Sequence, residues 1–156
     1  MRRCIELASK NVGYTYPNPL VGSVIVCDNK IIGEGSHEKY GESHAEVNAI
    51  NSVKDKGLLK NSTLYVNLEP CNHYGKTPPC TEAIINNNIK KVVIGSQDPN
   101  KLVNGSGIEK LRSSGCNVSV GVMDKECDKL NKRFFTYHKL KRLSLIHIWR
   151  CRRYAV

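Results

Sequence analysis

His44-Ala45-Glu46, Glu69-Pro70-Cys71 and Pro78-Pro79-Cys80 set the terms for any fold this chain can adopt. They supply one imidazole, two thiols and one carboxylate from three separate stretches. Two thiolates and a neutral imidazole balance the charge of a zinc ion. Three protein ligands leave a fourth tetrahedral position for water, which is the pattern of a catalytic rather than a structural site. His73 is the nearest residue that could close it as a fourth ligand. Coordination would lower the pKa of a bound water towards ~7. The local sequence favours thiolates too. Ser43 reads as a helix N-cap that places His44 in the first turn, and Pro79 precedes Cys80 where a second helix begins. Helix N-termini stabilise negative charge and depress thiol pKa values.

Glu46 has two readings. Ser43-x-x-Glu46 is a capping box, in which the glutamate satisfies a backbone donor. Beside His44 and the proline-flanked cysteines, a proton-transfer role takes precedence. Read alone, His37, His73, Lys76 and Asp98 are solvated loop residues, and Asn18 between two prolines is a turn residue.

Hydrophobic periodicity orders the rest of the chain. Met1–Val12 has helical spacing and Gly13 ends it. Val21–Cys27 and Ile31–Gly35 read as a hairpin around Asp28-Asn29-Lys30. Gly33, Gly35 and Gly41 mark a loop leading to Ser43. His44 to about Val53 reads as a helix and Thr63–Leu68 as a strand, with Leu64, Val66 and Leu68 alternating. Residues 69–79 form a long loop. Thr81–Asn87 is a helix, Lys91–Gly95 a strand, Gly107–Ser113 a helix, Asn117–Val120 a strand, and Asp124 to about Lys139 one last helix. Strands alternating with helices predict a layered α/β sheet, mixed because its first two strands are a hairpin. Asn104-Gly105-Ser106-Gly107 lacks the third glycine of a dinucleotide loop and reads as a turn that starts a helix.

The 156 residues suffice for one domain with a proper core. No stretch approaches the ~18 apolar residues of a membrane span. No apolar run of signal-peptide length follows Met1-Arg2-Arg3, so a cytoplasmic setting is expected and no membrane partner. Asn61, Asn104 and Asn117 then carry no glycosylation meaning. In that setting seven cysteines point to metal, catalysis or burial rather than disulfides. Cys4, Cys27, Cys116 and Cys127 read as small buried hydrophobes. The net charge of +10 suggests nucleic acid, but residues 139–156 hold six Lys/Arg and no acid. Without them 18 basic residues face 14 acidic ones, a bias of +4 that suits an anionic small molecule.

The chain also resembles a known family. Zinc deaminases carry H-x-E and a later P-C-x-x-C; here the first half matches, while eight residues separate the cysteines. Thr15-Tyr16-Pro17-Asn18-Pro19-Leu20-Val21-Gly22 resembles the opening of riboflavin-pathway pyrimidine deaminases. His44-Ala45-Glu46-Val47-Asn48-Ala49, the stretch from Glu69-Pro70-Cys71-Asn72-His73-Tyr74-Gly75-Lys76 to Thr77-Pro78-Pro79-Cys80, Asp98-Pro99-Asn100 and Gly105-Ser106-Gly107-Ile108 resemble them too. The family is diaminohydroxyphosphoribosylaminopyrimidine deaminase, usually the N-terminal half of a bifunctional deaminase/reductase. The resemblance runs through about residue 138.

It implies a cytidine deaminase-like fold, a three-layer α/β/α sandwich around a mixed five-stranded sheet. It implies one zinc ion on His44, Cys71 and Cys80, and Glu46 as proton shuttle in hydrolytic deamination of a pyrimidine ribonucleotide in riboflavin biosynthesis. Asn18, His37, His73, Lys76, Asp98 and Asn100 match substrate-site positions. Lys76 would meet the ribose phosphate as a flexible point charge, while Asn18 and the loop of His37 would approach the base. Homo-oligomers are compatible with this picture.

Beyond Lys141-Arg142, the stretch from Leu143 to Val156 looks foreign to the family and resembles translated sequencing-adaptor DNA. Residues 1–138 are therefore expected to be the deaminase domain. Residues 139–156 are expected to be a linker remnant and non-native tail, without the reductase half and so without NADPH. A basic tail for nucleic acid or acidic membranes is the other reading of that end. Two other functions remain open on the residues. A nucleic-acid base deaminase would need a basic channel with stacking aromatics, yet the chain has two Phe and one Trp, which lies in the tail. A non-enzymatic zinc-binding module would need a fourth protein ligand.

Overall fold

The computed structural model describes residues 1–100 and 103–140. Among these, five strands form one sheet: β1 (Gly22–Cys27), β2 (Lys30–Ser36), β3 (Thr63–Leu68), β4 (Lys91–Ser96) and β5 (Asn117–Val120), in the order β2-β1-β3-β4-β5. β1 runs antiparallel to β2 and β3, whereas β3, β4 and β5 are parallel, so the sheet is mixed as expected. The β1–β2 turn places Asp28 and Asn29 at positive φ, which these two residue types tolerate best after glycine.

Helices cover both faces. α1 (Arg2–Ser9), α2 (Ala45–Ser52), α3 (Cys80–Asn86), α4 (Ser106–Ser113), α5 (Asp124–Leu130) and α6 (Lys132–Leu140) are joined by a short 3₁₀ helix, Lys56–Asn61, that periodicity did not reveal. The period of two in the strands decides which helix packs where. Ile25, Leu64 and Val66 face a large core with Ala49 and Ile50 of α2, Ile84 of α3 and Leu111 of α4. Their neighbours Val24 and Tyr65 face Cys4 and Leu7 of α1 on the other side. α5 also packs on β3, β4 and α1. The layered α/β/α arrangement follows. Each fully buried Leu or Ile in it contributes roughly 1.5–3 kcal/mol. Cys4, Cys27, Cys116 and Cys127 are all buried and free, as read from their apolar neighbours. No helix among the described residues is long and apolar enough to cross a membrane.

Several expectations need correction. Gly33 and Gly35 lie inside β2, in keeping with the strand read over Ile31–Gly35 and not with a loop leading to Ser43. They are glycines because α2 rests directly on them: a Cβ at Gly35 would stand 2.3 Å from the Ala49 nitrogen. α1 stops at Ser9 rather than near Val12. The single helix expected from Asp124 to Lys139 is two helices. Asn131 breaks it with φ −98° and ψ 22°, and its side chain is spent on Leu20, donating to that carbonyl and accepting from that N–H at 2.8 Å each. Residues 139–156, expected to be linker and tail, lie outside the described residues apart from Lys139 and Leu140.

The topology gathers four loops at one edge of the sheet. Gly22 at the start of β1 pairs with Ser36 at the end of β2, Ser23 pairs with Val66 near the end of β3, and Leu68 pairs with Ser96 at the end of β4. The chain before β1 and the chains after β2, β3 and β4 therefore emerge side by side. In open α/β sheets the carboxyl ends of parallel strands are where ligands bind.

Candidate active site

His44 is itself the N-cap of α2, with extended backbone (φ −74°, ψ 162°), so Ser43 does not hold the position first read for it. No side chain caps that helix, and the Ser43–Glu46 capping box does not form. Glu46 instead lies in the first turn with 3% exposure, buried at the open end of the helix. Pro79 is the N-cap of α3 and Cys80 its first residue, as the Pro-Cys pair predicted.

The three expected ligands converge. The Nδ1 atom of His44 lies 3.2 Å from the Cys80 sulfur and 3.5 Å from that of Cys71. All three donor atoms sit within 4.8 Å of one another. A tetrahedral zinc ion holds its nitrogen and sulfur ligands about 3.6 Å apart, so one ion can bridge this set. The loop between the cysteines is closed by local bonds. The Cys80 N–H donates to the Cys71 sulfur at 3.4 Å, the Thr81 N–H to the Cys71 carbonyl at 3.2 Å, and the Thr81 hydroxyl to Asn72 at 3.0 Å.

The electrostatics suit a cation. The Cys71 thiol is held well below the usual thiol range, because the Cys80 thiol and the His44 ring donate to it. Cys80 moves up, since it faces that thiolate from a buried position beside Glu46. One proton is shared across the pair. His44 is raised by its bond to Cys71. Glu46 is raised by burial first and by Cys71 second. Two sulfurs and a carboxylate crowded out of water are the setting that a divalent cation relieves.

The residues expected to meet substrate divide into two groups. His37 is buried, not solvated; its ring packs edge-on to His44 with centroids 5.3 Å apart. Its Nδ1 lies 3.2 Å from the Ser43 carbonyl, which can only accept, so Nδ1 carries a proton. Burial lowers the His37 pKa and favours the neutral ring, whose Nε2 then accepts from the Asn18 amide at 3.0 Å. Asp98 is also buried rather than solvated. Its Oδ1 accepts from the Asn100 N–H at 2.7 Å, and burial pushes its carboxyl up to about 6. His73 and Lys76 are exposed on the loop between the cysteines, and Asn100 is half-buried. The Lys76 ammonium sits 4.2 Å from the centroid of the Tyr40 ring, joining that loop to the one after His37.

Some residues that build the site carried no signal of their own. Asn67, fully buried in β3, accepts from the Gly22 N–H at 2.8 Å and donates to the Leu20 carbonyl at 3.0 Å. With Asn131 it holds the segment that follows Asn18. Glu69 was visible only as part of the Glu-Pro-Cys motif, yet its carboxylate accepts from four backbone N–H groups.

Comparison with known proteins places these residues in context. Residues 1–96 match the cytidine and deoxycytidylate deaminase zinc-binding region. The chain is 54% identical over 135 residues to the diaminohydroxyphosphoribosylamino-pyrimidine deaminase of Buchnera aphidicola subsp. Schizaphis graminum, covering 86% of this chain and 90% of that one. It is 50% identical over 149 residues to the riboflavin biosynthesis protein RibD of Aquifex aeolicus, covering 96% of this chain and 41% of that one. Among solved structures, the Thermotoga maritima diaminohydroxyphosphoribosylaminopyrimidine deaminase/5-amino-6-(5-phosphoribosylamino)uracil reductase superposes with a TM-score of 0.86 at 51% identity, covering 91% of this chain and 41% of that one. The chain thus spans about two fifths of the length of its longer relatives.

Proposed function

The chain belongs to the cytidine and deoxycytidylate deaminase zinc-binding family, and on that premise we propose that it hydrolytically deaminates diaminohydroxyphosphoribosylaminopyrimidine in riboflavin biosynthesis. The Buchnera relative, which the chain covers almost end to end, bears that activity in its name. The observation that carries the reading is the convergence of His44, Cys71 and Cys80 beside a buried Glu46.

One zinc ion on His44, Cys71 and Cys80 fits the donor set and would supply the Lewis acid that acidifies the attacking water. Glu46 does the proton work. Its carboxylate takes a proton from that water, delivers it to the ring nitrogen beside the amine-bearing carbon, and carries a proton to the departing amine. The water oxygen becomes the new carbonyl oxygen and the amino group leaves as ammonia. The balance needs no redox cofactor. Burial suits Glu46 to both halves of this task, because it raises the carboxyl above its ordinary value and so makes it a better proton acceptor.

The four loops at the sheet edge supply recognition. Neutral His37, fixed by Ser43 and Asn18, presents a shaped polar wall beside His44. Asp98 and Asn100 bound the site from the loop after β4. Lys76, exposed beside the Tyr40 ring, offers its charge to the ribose phosphate. A reducing cytoplasm suits the free thiols.

The test is ammonia release from a small panel: the phosphorylated pyrimidine, its dephosphorylated riboside, and cytidine or adenosine within an oligonucleotide. The reading expects turnover of the phosphorylated compound, a KM raised roughly tenfold or more without the phosphate, and none on the oligonucleotide. Preference for the oligonucleotide would overturn it.

A further inference from the structure

Glu69 separates the last residue of β3 from Pro70-Cys71 and is 4% exposed. Its Oε2 accepts from the N–H groups of Asp98 at 3.2 Å and Gly105 at 3.0 Å. Its Oε1 accepts from Gly107 at 3.0 Å and Ile108 at 3.3 Å. One carboxylate thus spans the loop after β4 and the first turn of α4. Two further contacts close the same junction. A Cβ on Gly107 would stand 2.1 Å from the Pro70 carbonyl oxygen, so α4 begins in direct contact with the peptide before Cys71. On the far side of Cys71, Asn72 donates to the Ser106 carbonyl at 3.4 Å.

Cys71 lies in no helix or strand, so no regular element of its own fixes its backbone. The residues on either side of it are instead fastened to the start of α4. The same carboxylate holds Asp98, whose own oxygen shapes the turn to Asn100. We propose that Glu69 is a positioning residue: it aims Cys71 at His44 and Cys80 and sets the Asp98–Asn100 loop at a fixed distance from that centre. Metal retention and substrate binding then depend on one buried carboxylate that touches neither. The roles of Cys71 and Asp98 in this account rest on the deaminase reading, while the metal readouts below do not need it.

A merely structural Glu69 would stabilise α4 and do nothing more. Glu69→Gln separates the two cases, because it keeps the shape but turns an amide donor towards backbone donors. Wild type and variant are loaded with zinc and compared below their melting temperatures. The positioning role expects zinc to pass to a chromogenic chelator roughly tenfold faster from the variant. It expects KM to rise about fivefold and the visible spectrum of the cobalt-substituted protein to shift. A variant that melts earlier yet matches wild type in zinc release, KM and spectrum overturns the proposal.

Should the variant not fold, hydrogen exchange on the wild-type chain decides. Stripping zinc is expected to speed exchange in peptides covering residues 104–110 by about tenfold, with α5 unaffected. Equal exchange in those peptides with and without zinc overturns the proposal. If the wild type releases no ammonia while the zinc and exchange results stand, the proposed reaction fails and the role of Glu69 in holding Cys71 survives.

Discussion

The backbone N–H of Cys80, at the start of α3, points at the sulfur of Cys71 from 3.4 Å. A helix start thereby stabilises the thiolate of a residue nine positions before the helix begins. Two cysteines with a long loop between them therefore act as one unit, and removing either should disable both. Cys71→Ser and Cys80→Ser are each expected to lower bound zinc from about one ion per chain to under a tenth after dialysis, read by elemental analysis. Full zinc occupancy in either variant would show that the ligand set is wrong.

Glu46 separates metal binding from chemistry. It sits beside the sulfurs but is not needed to balance their charge. Glu46→Gln should keep zinc and fold while ammonia release falls by roughly 10²–10⁴. Near-normal turnover in that variant would remove Glu46 from its proposed role.

Asp98 gives the stability a measurable pH dependence. Its carboxyl titrates at about 6 in the fold, against an ordinary value of 3.8, because burial disfavours the charge. The native state therefore binds this proton more tightly than the unfolded chain. Stability from this group is present at low pH and is lost as pH rises between about 4 and 6, on the order of 3 kcal/mol in all. Asp98→Asn keeps an acceptor for the Asn100 N–H and removes the titration. Urea midpoints of the variant should exceed those of wild type at pH 8, with the gap closing towards pH 4. A gap that widens on acidification would contradict the sign.

The loop before β1 depends on a residue 111 positions away. Asn131→Ala strands the Leu20 N–H, leaves the Leu20 carbonyl to Asn67 alone, and should cost about 1–3 kcal/mol, seen as a lower thermal midpoint. Unchanged melting would mean that Asn67 alone holds the segment.

The parts of this fold that were legible in sequence are those encoded locally. Alternation in Leu64, Val66 and Leu68 marks a strand whatever its partners, and Pro79 before Cys80 marks a helix start. His44, Cys71 and Cys80 were readable as a set because their donor chemistry allows few other uses. Gly33 and Gly35 fitted both a strand and a loop, since a glycine emptied for a helix residue 14 positions on, as Gly35 is for Ala49, resembles a glycine in a loop until the helix is in place. Asn131 looked like an ordinary helix residue because its partner is Leu20. His37 and Asp98 looked solvated, as polar residues in loops usually are, and their burial comes from loops that meet only at the sheet edge. Glu69 was silent for the same reason, its four donors lying 29 to 39 residues away.

The most direct test of the account is ammonia release from the phosphorylated diaminopyrimidine by the zinc-loaded chain, the stripped chain, and the stripped chain given back one equivalent of zinc. The account predicts steady turnover in the first, at least about a hundredfold less in the second, and recovery in the third. Undiminished turnover after the metal is removed, or none in the loaded protein, would contradict it.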